Sequence, residues 1–200
     1  ALKDIAHLYR SKFNPFLVGV TGSVGKTTTK EMISLALSSK YPTLKTQGNL
    51  NNEIGLPKTL FNITSEHKAA VIEMGMSHFG EISRLAKTAS PLSAAVITNI
   101  GFSHIENLKS QEGILKAKLE ILDGIGENAP LVLNGDDAYL WGANDKLDNK
   151  VYTYAIDNKD ADFRAENIIE HNGMTEFTAI YEGKEFPVCV TAVGRHNVLN

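Results

Sequence analysis

Cysteine is almost missing from this chain: Cys189 is the only one in 200 residues. That excludes an intrachain disulfide framework and a zinc ribbon, and it fits a reducing compartment, so the cytoplasm is the expected location. Long hydrophobic runs are missing as well. No stretch approaches the ~18 consecutive apolar residues of a membrane span, and no signal-peptide pattern is visible. Neither sign of charge dominates, with 20 Lys and Arg against 23 Asp and Glu and a formal net charge of −3. A basic surface for nucleic acid is therefore not expected. Internal repeats and low-complexity segments are also lacking. The chain starts at Ala1 rather than Met and stops at Asn200 in what reads as a new helix, so a segment of a longer polypeptide is expected.

What is present suits a globular core. Apolar residues make up 42% and charged residues 22%, ordinary proportions for one large domain or one domain with a small appendage. The stretch around which the rest is organised is Thr21-Gly22-Ser23-Val24-Gly25-Lys26-Thr27-Thr28. It follows the apolar run Phe16–Val20 and leads into a segment of helical spacing from Lys30 to Leu37. Strand, glycine-rich turn and helix are the context of a phosphate-binding loop. Gly22 and Gly25 let backbone N–H groups converge on phosphate oxygens, and the helix adds the positive end of its dipole. Lys26 would reach the β- and γ-phosphates, and the Thr27 hydroxyl would ligate Mg²⁺. The usual pattern has a first glycine where this chain has Val20, so the motif is the shorter Gly-x-x-Gly-Lys-Thr-Thr form. The alternative is an ordinary strand-to-helix turn.

Along the chain, Leu2, Ile5, Ala6, Leu8 and Tyr9 predict a short amphipathic lead-in or linker helix within residues 1–14,. Apolar strands are expected at Thr43–Thr46, Ala69–Gly75, Ala94–Ile100, Leu131–Asn134 and Val151–Tyr154, with helices over 80–87 and 110–123. Such alternation predicts the α/β class, a P-loop-type, mostly parallel sheet covered by helices on both faces. After about residue 160 the pattern changes. Asn172-Gly173 and Gly183 punctuate three β-like runs, predicting a small antiparallel sheet over about 160–192,. Ligands of open α/β sheets bind beyond the carboxyl ends of the strands, where Gly22–Thr28, Glu73, Asn99 and Asn134 would gather.

Glu73 is an acid ending an otherwise apolar strand, so it either caps a neighbouring helix or holds a metal. Met74 and Met76 read as packing. His104 follows a strand at the same end and is either a ligand or a solvated loop residue. His7, His67 and His171 read as surface residues, and His78 is undecided. Lys116 and Lys118, two apart on one helix, point to different faces, and on residue type alone both would be solvated. The amide-rich loop 47–55 is either a plain turn or part of the site. Asn158-Lys159-Asp160-Ala161 lacks the aspartate of a guanine-reading motif and reads as a polar turn.

Together these residues resemble the Mur ligases. Thr21–Met32 is similar to their ATP loop. Gly48–Pro57, Glu73–Ile82, Thr98-Asn99-Ile100 with His104, Ala117–Ile121, Asn134–Asp137 and Gly194–Asn197 resemble the branch that adds D-alanyl-D-alanine to UDP-N-acetylmuramoyl-tripeptide. The resemblance covers nearly the whole chain in order. It implies an N-terminal UDP-sugar domain and a C-terminal Rossmann-like domain on either side of a central ATPase domain, with residues 15–200 as the central one. It implies ATP and Mg²⁺, phosphate contacts from Gly22, Ser23, Val24, Gly25, Lys26, Thr27 and Thr28, and catalytic roles for Lys26, Glu73, His104 and Lys118. Metal contacts would come from Thr27, Glu73, His104 and Lys118. The family carries the lysine as a carbamate, and its position fourteen residues after His104 selects Lys118 over Lys116. Asn134, His196 and Asn197 resemble positions near the adenine, and Asn49, Asn51 and Asn52 would face the muramoyl-peptide. The implied activity is ATP-dependent amide ligation through an acyl phosphate, with the isolated segment inactive. The alternatives are a sibling ligase, such as another Mur enzyme or a folylpolyglutamate synthase, and a P-loop nucleotide-binding module without catalysis.

Overall fold

A computed structural model describes residues 1–200. Nine strands form one sheet: β1 (Phe16–Thr21), β2 (Thr43–Lys45), β3 (Ala69–Glu73), β4 (Ala94–Ile97), β5 (Leu131–Asn134), β6 (Val151–Ala155), β7 (Phe163–His171), β8 (Met174–Tyr181) and β9 (Lys184–Val190). The helices are α1 (Leu2–Arg10), α2 (Lys26–Ser38), α3 (Gly55–Leu60), α4 (Glu81–Ala89), α5 (Ile105–Leu108), α6 (Gln111–Leu119), α7 (Ala138–Asn144) and α8 (Arg195–Leu199), with a 3-10 turn at Glu120–Gly124 after α6. Strand order is β2-β3-β1-β4-β5-β6-β7-β8-β9. All pairings from β2 to β7 are parallel, and β7-β8 and β8-β9 are antiparallel.

The parallel strands are apolar on both faces because both faces are covered. On one face Leu17, Ala70, Ile72, Ala95 and Ile97 join a cluster of 24 buried residues that includes Ile82 and Leu85 of α4 and Ile114 of α6. On the other, Val18, Val20, Val71, Ala94 and Val96 form a smaller cluster against Ile33 and Leu37 of α2. Strand ends are nearly level, Val20 beside Glu73 and Thr21 beside Ile97. The first residues past β1 and β4 and the last of β3 therefore meet at one end.

The expected antiparallel strands are present, and they continue the main sheet. β7 pairs with β6 only through Tyr154–Phe163 and Ala155–Arg164, so β7 to β9 project past the carboxyl end of β6. Asn172 and Gly173 turn the first hairpin and Glu182 and Gly183 the second, all four at positive φ,.

α1 departs from expectation. Leu2, Ile5 and Leu8 are exposed, and the residues it buries are Ala6 and Arg10. Two residues of the expected face do pack: Ala6 is buried, and Tyr9, which lies edge-on to Phe61 at 5.5 Å and donates to the Ile63 carbonyl at 2.9 Å, fixes the helix against α3 and α4. Arg10 Nη2 donates to the Pro91 carbonyl at 2.8 Å. α3 and α7 were not anticipated, since each is short and carries no full apolar period. No helix is long and apolar enough to cross a membrane.

Candidate active site

β1 delivers the chain into a loop that neighbouring strands hold in shape. The Thr21 hydroxyl donates to the Met74 carbonyl at 2.9 Å, tying the end of β1 to that of β3. Gly22 passes so close to Thr98 that a Cβ would lie 1.8 Å from its Oγ1. Gly25 stands at φ 82 immediately before α2, a left-handed conformation that only glycine adopts without cost,. Asn99 braces the loop: its Oδ1 accepts from the Val24 N–H and its Nδ2 donates to the Val24 carbonyl, both at 2.9 Å. The Ser23 N–H donates to the Asn99 carbonyl at 3.1 Å. Of the loop residues expected to cradle phosphate, Ser23 and Val24 thus turn their amides to Asn99. The first-turn amides of α2, which has no side-chain cap, remain to meet an anion.

Lys26 Nζ curls back over its own loop, 2.9 Å from the Gly22 carbonyl and 3.3 Å from that of Ser23. Burial lowers its pKa, partly offset by the negative charge of Glu73. Glu73 is 1% exposed. Its Oε2 accepts from the Thr27 hydroxyl at 3.0 Å and its Oε1 from Asn51 Nδ2 at 2.8 Å. An open cavity of about 520 Å³ spans Gly22, Ser23, Lys26, Asn51, His104 and Lys118, with Glu73 directly behind Asn51. His104 is exposed at φ 63, a conformation uncommon outside glycine, and it starts α5,.

Lys118 is 2% exposed, whereas Lys116 on the same helix faces solvent. Residue type alone favoured two solvated lysines; the structure buries one. α6 is anchored to achieve this, with Ser110 Oγ accepting from the Gly113 N–H at 3.1 Å. The Lys118 ammonium has no carboxylate partner. Burial, and secondarily the charge of Lys26, lowers its pKa to about 7, so near neutrality a large share of it is free amine.

No group of three or more His, Cys, Asp or Glu is placed to hold a metal ion. The Thr27 hydroxyl and Glu73 carboxylate are two hard oxygen donors beside a phosphate-type loop. That set is too small for an all-protein cage, and it suits Mg²⁺, whose shell phosphate and water commonly complete.

Other expected residues lie elsewhere. Asn134 directs Nδ2 to the Thr98 carbonyl at 3.0 Å and Oδ1 to the Asp136 N–H at 2.9 Å, and is buried. Asn197 Nδ2 donates to the Val193 carbonyl at 2.8 Å, and His196 is exposed beside it on α8. Neither lines the cavity, although Asn200, just past α8, reaches the start of α2, its Oδ1 accepting from the Thr29 hydroxyl at 3.4 Å and lying beside Gly25. Asn49 is exposed, and Asn52 lines the cavity while its Oδ1 accepts from the Gly55 N–H at 2.9 Å. Sequence reasoning missed Lys30 and Thr46, both buried next to Glu73. Only an acid-poor helix face carrying a lysine one turn after Lys26 hinted at the first.

Residues 20–200 match the Mur ligase middle domain. This chain belongs to the Mur ligase family. It is 42% identical over 200 residues to the UDP-N-acetylmuramoyl-tripeptide–D-alanyl-D-alanine ligase of Bacillus subtilis (strain 168), covering all of this chain and 42% of that protein. Among solved structures it resembles MurF from Acinetobacter baumannii, with a TM-score of 0.90 and 30% identity over 99% of this chain and 43% of the other. A second is the MurF ligase from Thermotoga maritima in complex with ADP, with a TM-score of 0.89, 31% identity, and coverage of 99% and 46%. The chain thus spans less than half the length of these Mur ligases.

Proposed function

We propose that this chain is the ATP-binding central domain of a cytoplasmic ligase that adds D-alanyl-D-alanine to UDP-N-acetylmuramoyl-tripeptide in peptidoglycan precursor synthesis. The observation that carries the reading is one cavity lined by the phosphate-type loop with Lys26 and by the buried Lys118, with a buried carboxylate bonded to Thr27 directly behind its Asn51 wall, in a chain whose similar relatives bear that activity in their names. On this reading residues 1–14 lead in from an N-terminal UDP-sugar domain, and a Rossmann-like domain follows Asn200.

The chemistry asks for this inventory. A carboxylate oxygen of the tripeptide attacks the γ-phosphorus of ATP, ADP leaves, and an acyl phosphate forms. The amine of D-alanyl-D-alanine then attacks the acyl carbon, and phosphate departs with one of the original carboxylate oxygens. The first step brings two anions together, so fixed positive charge is needed where charge develops. Lys26 uncurls from Gly22 and Ser23 to reach the β/γ-phosphates, and the α2 amides add their partial charge. Thr27 and Glu73 would hold Mg²⁺, which would supply further neutralisation. His104 and Lys118 would serve a second cation, Lys118 only as a carbamate, because an ammonium has donors alone. On the same reading Asn51 and Asn52, which line the cavity, and the exposed Asn49 would face the muramoyl-peptide, and Asn134, His196 and Asn197, outside the cavity, would be on the adenine side.

In the full polypeptide, phosphate release should require ATP, UDP-N-acetylmuramoyl-tripeptide and D-alanyl-D-alanine together. Equal release with a single amino acid in place of the dipeptide would transfer the assignment to a sibling ligase. The 200-residue chain alone should release no phosphate.

A further inference from the structure

Lys30 is sealed in the interior at 1% exposure, one helical turn after Lys26 on α2. A buried ammonium is costly unless it is paired and hydrogen-bonded, so its partners indicate its role. Its Nζ donates to the Thr46 carbonyl at 2.9 Å and lies 3.1 Å from Glu31 Oε1 and 3.7 Å from Glu73 Oε2. Thr46 also grips Glu73, its Oγ1 accepting from the Glu73 backbone N–H at 3.0 Å. Lys30, Thr46 and Glu73 thus close a small network joining α2, the end of β2 and the end of β3.

We propose that Lys30 is a positioning residue for Glu73, a fixed counter-charge that holds the carboxylate in place and so sets the site's affinity for a divalent cation. The inference rests on the reading of Thr27 and Glu73 as the cation-holding pair. Glu73 has three side-chain neighbours that bear on its orientation: Thr27, Asn51 and Lys30. Two of these must be free to change. For Thr27 to offer a lone pair to a cation, its hydroxyl has to stop donating to Glu73, and Asn51 lines the open cavity, where substrate competes for its amide. Lys30 has no such freedom. It is closed off from the cavity and held by Thr46 and Glu31, so it is the contact that persists when the other two are re-aimed. Without it the buried carboxylate has no fixed cation, since the Lys26 ammonium lies against the Gly22 and Ser23 carbonyls.

A lysine that merely pins α2 to β2 would need only the Thr46 carbonyl and Glu31. The two roles separate on cation binding. In the full polypeptide, Mn²⁺ binding in the presence of ADP is followed by electron paramagnetic resonance for wild type, Glu73→Ala, Lys30→Met and Lys30→Gln. Met keeps lysine's unbranched shape without its charge, and Gln, which keeps a donor for Thr46, serves if the Met variant fails to fold. The expected result is a Mn²⁺ dissociation constant raised by about tenfold or more in the Lys30 variants, the size typical of losing an outer partner of a metal ligand, with the affinity for cation-free ADP unchanged. Wild-type Mn²⁺ affinity in the Lys30 variants, with Glu73→Ala weakened, would overturn the positioning role and leave the site reading intact. Wild-type Mn²⁺ affinity in Glu73→Ala would overturn the site reading and the proposal with it.

Discussion

Set β3 beside β9. Every residue of Ala69–Glu73 is buried, and the run is apolar on both faces until it ends on an acid. None of Lys184–Val190 is buried, although after Lys184 and Glu185 the strand runs Phe-Pro-Val-Cys-Val. The same sheet contains both, but the first lies between two layers of helix and the second only faces α2 across an open cleft at its Cys189–Val190 end. In the parallel half, burial fixes each strand end to within a hydrogen bond of its neighbours, as Thr21 and Met74 show. In the antiparallel half, cohesion comes from cross-strand pairs such as Phe163 stacked on Tyr181 at 4.1 Å,. A polar residue at the end of a fully buried strand is out of place energetically unless something uses it. That is why Glu73 carries information and the many acids of β7 to β9 carry little.

If the chemistry belongs to the parallel half, the largest effect should come from its loop. Lys26→Ala should cut turnover of the full polypeptide by a factor on the order of a hundred or more, while Thr27→Ala should raise the Mg²⁺ requirement. Steady-state kinetics at varied Mg²⁺ distinguish the two. Next in size is the contrast between two lysines on one helix. Lys118→Ala should lose activity steeply and regain part of it when a short carboxylic acid is added, whereas Lys116→Ala should stay near wild type. A reversal of that pair would remove Lys118 from the site.

The two halves should also differ in what a truncated side chain costs. Ile72→Ala, in the core, is expected to destabilise the fold by about 2–5 kcal/mol, and Phe186→Ala, half-exposed on β9, by about 1 kcal/mol or less. Denaturant titration checks both. The smallest effect is one of slope. Lys118 has a folded pKa of about 7 against an ordinary 10.5, so between those values the unfolded chain binds a proton that the folded chain does not. Stability should therefore rise with pH across that window and level off below about 7, where the full cost of burying the charge is present. Lys118→Met should lack this slope and be the more stable protein at neutral pH.

Much of the parallel half was legible because its signals are local. Gly22, Gly25 and Lys26 announce a loop by their own conformational and chemical needs, and a run such as Ala69–Glu73 carries its burial in its composition. Asn172-Gly173 and Gly183 disclosed the hairpins in the same way. What could not be read depends on distant partners. Lys30 looks like any helical lysine until Thr46 and Glu73 close over it. Lys118 was selected by family likeness and not by its own type, since nothing within α6 tells which of two lysines faces inward. Of the stripe that α1 carries, Ala6 and Tyr9 pack while Leu2, Ile5 and Leu8 stay exposed, because the bonds of Tyr9 to Ile63 and of Arg10 to Pro91 set the helix's rotation. The attachment of β7 to β6 rests on two residue pairs, too few to leave a pattern.

On the proposed function, this site would move a phosphoryl group onto a carboxylate. One measurement tests this step: UDP-N-acetylmuramoyl-tripeptide with both oxygens of the reacting carboxylate as ¹⁸O is supplied, and the released phosphate is analysed by mass spectrometry. The account predicts one heavy oxygen in each phosphate formed, carried over when the acyl phosphate is opened by the amine. Phosphate free of label, with D-alanyl-D-alanine incorporated at the normal rate, would contradict it.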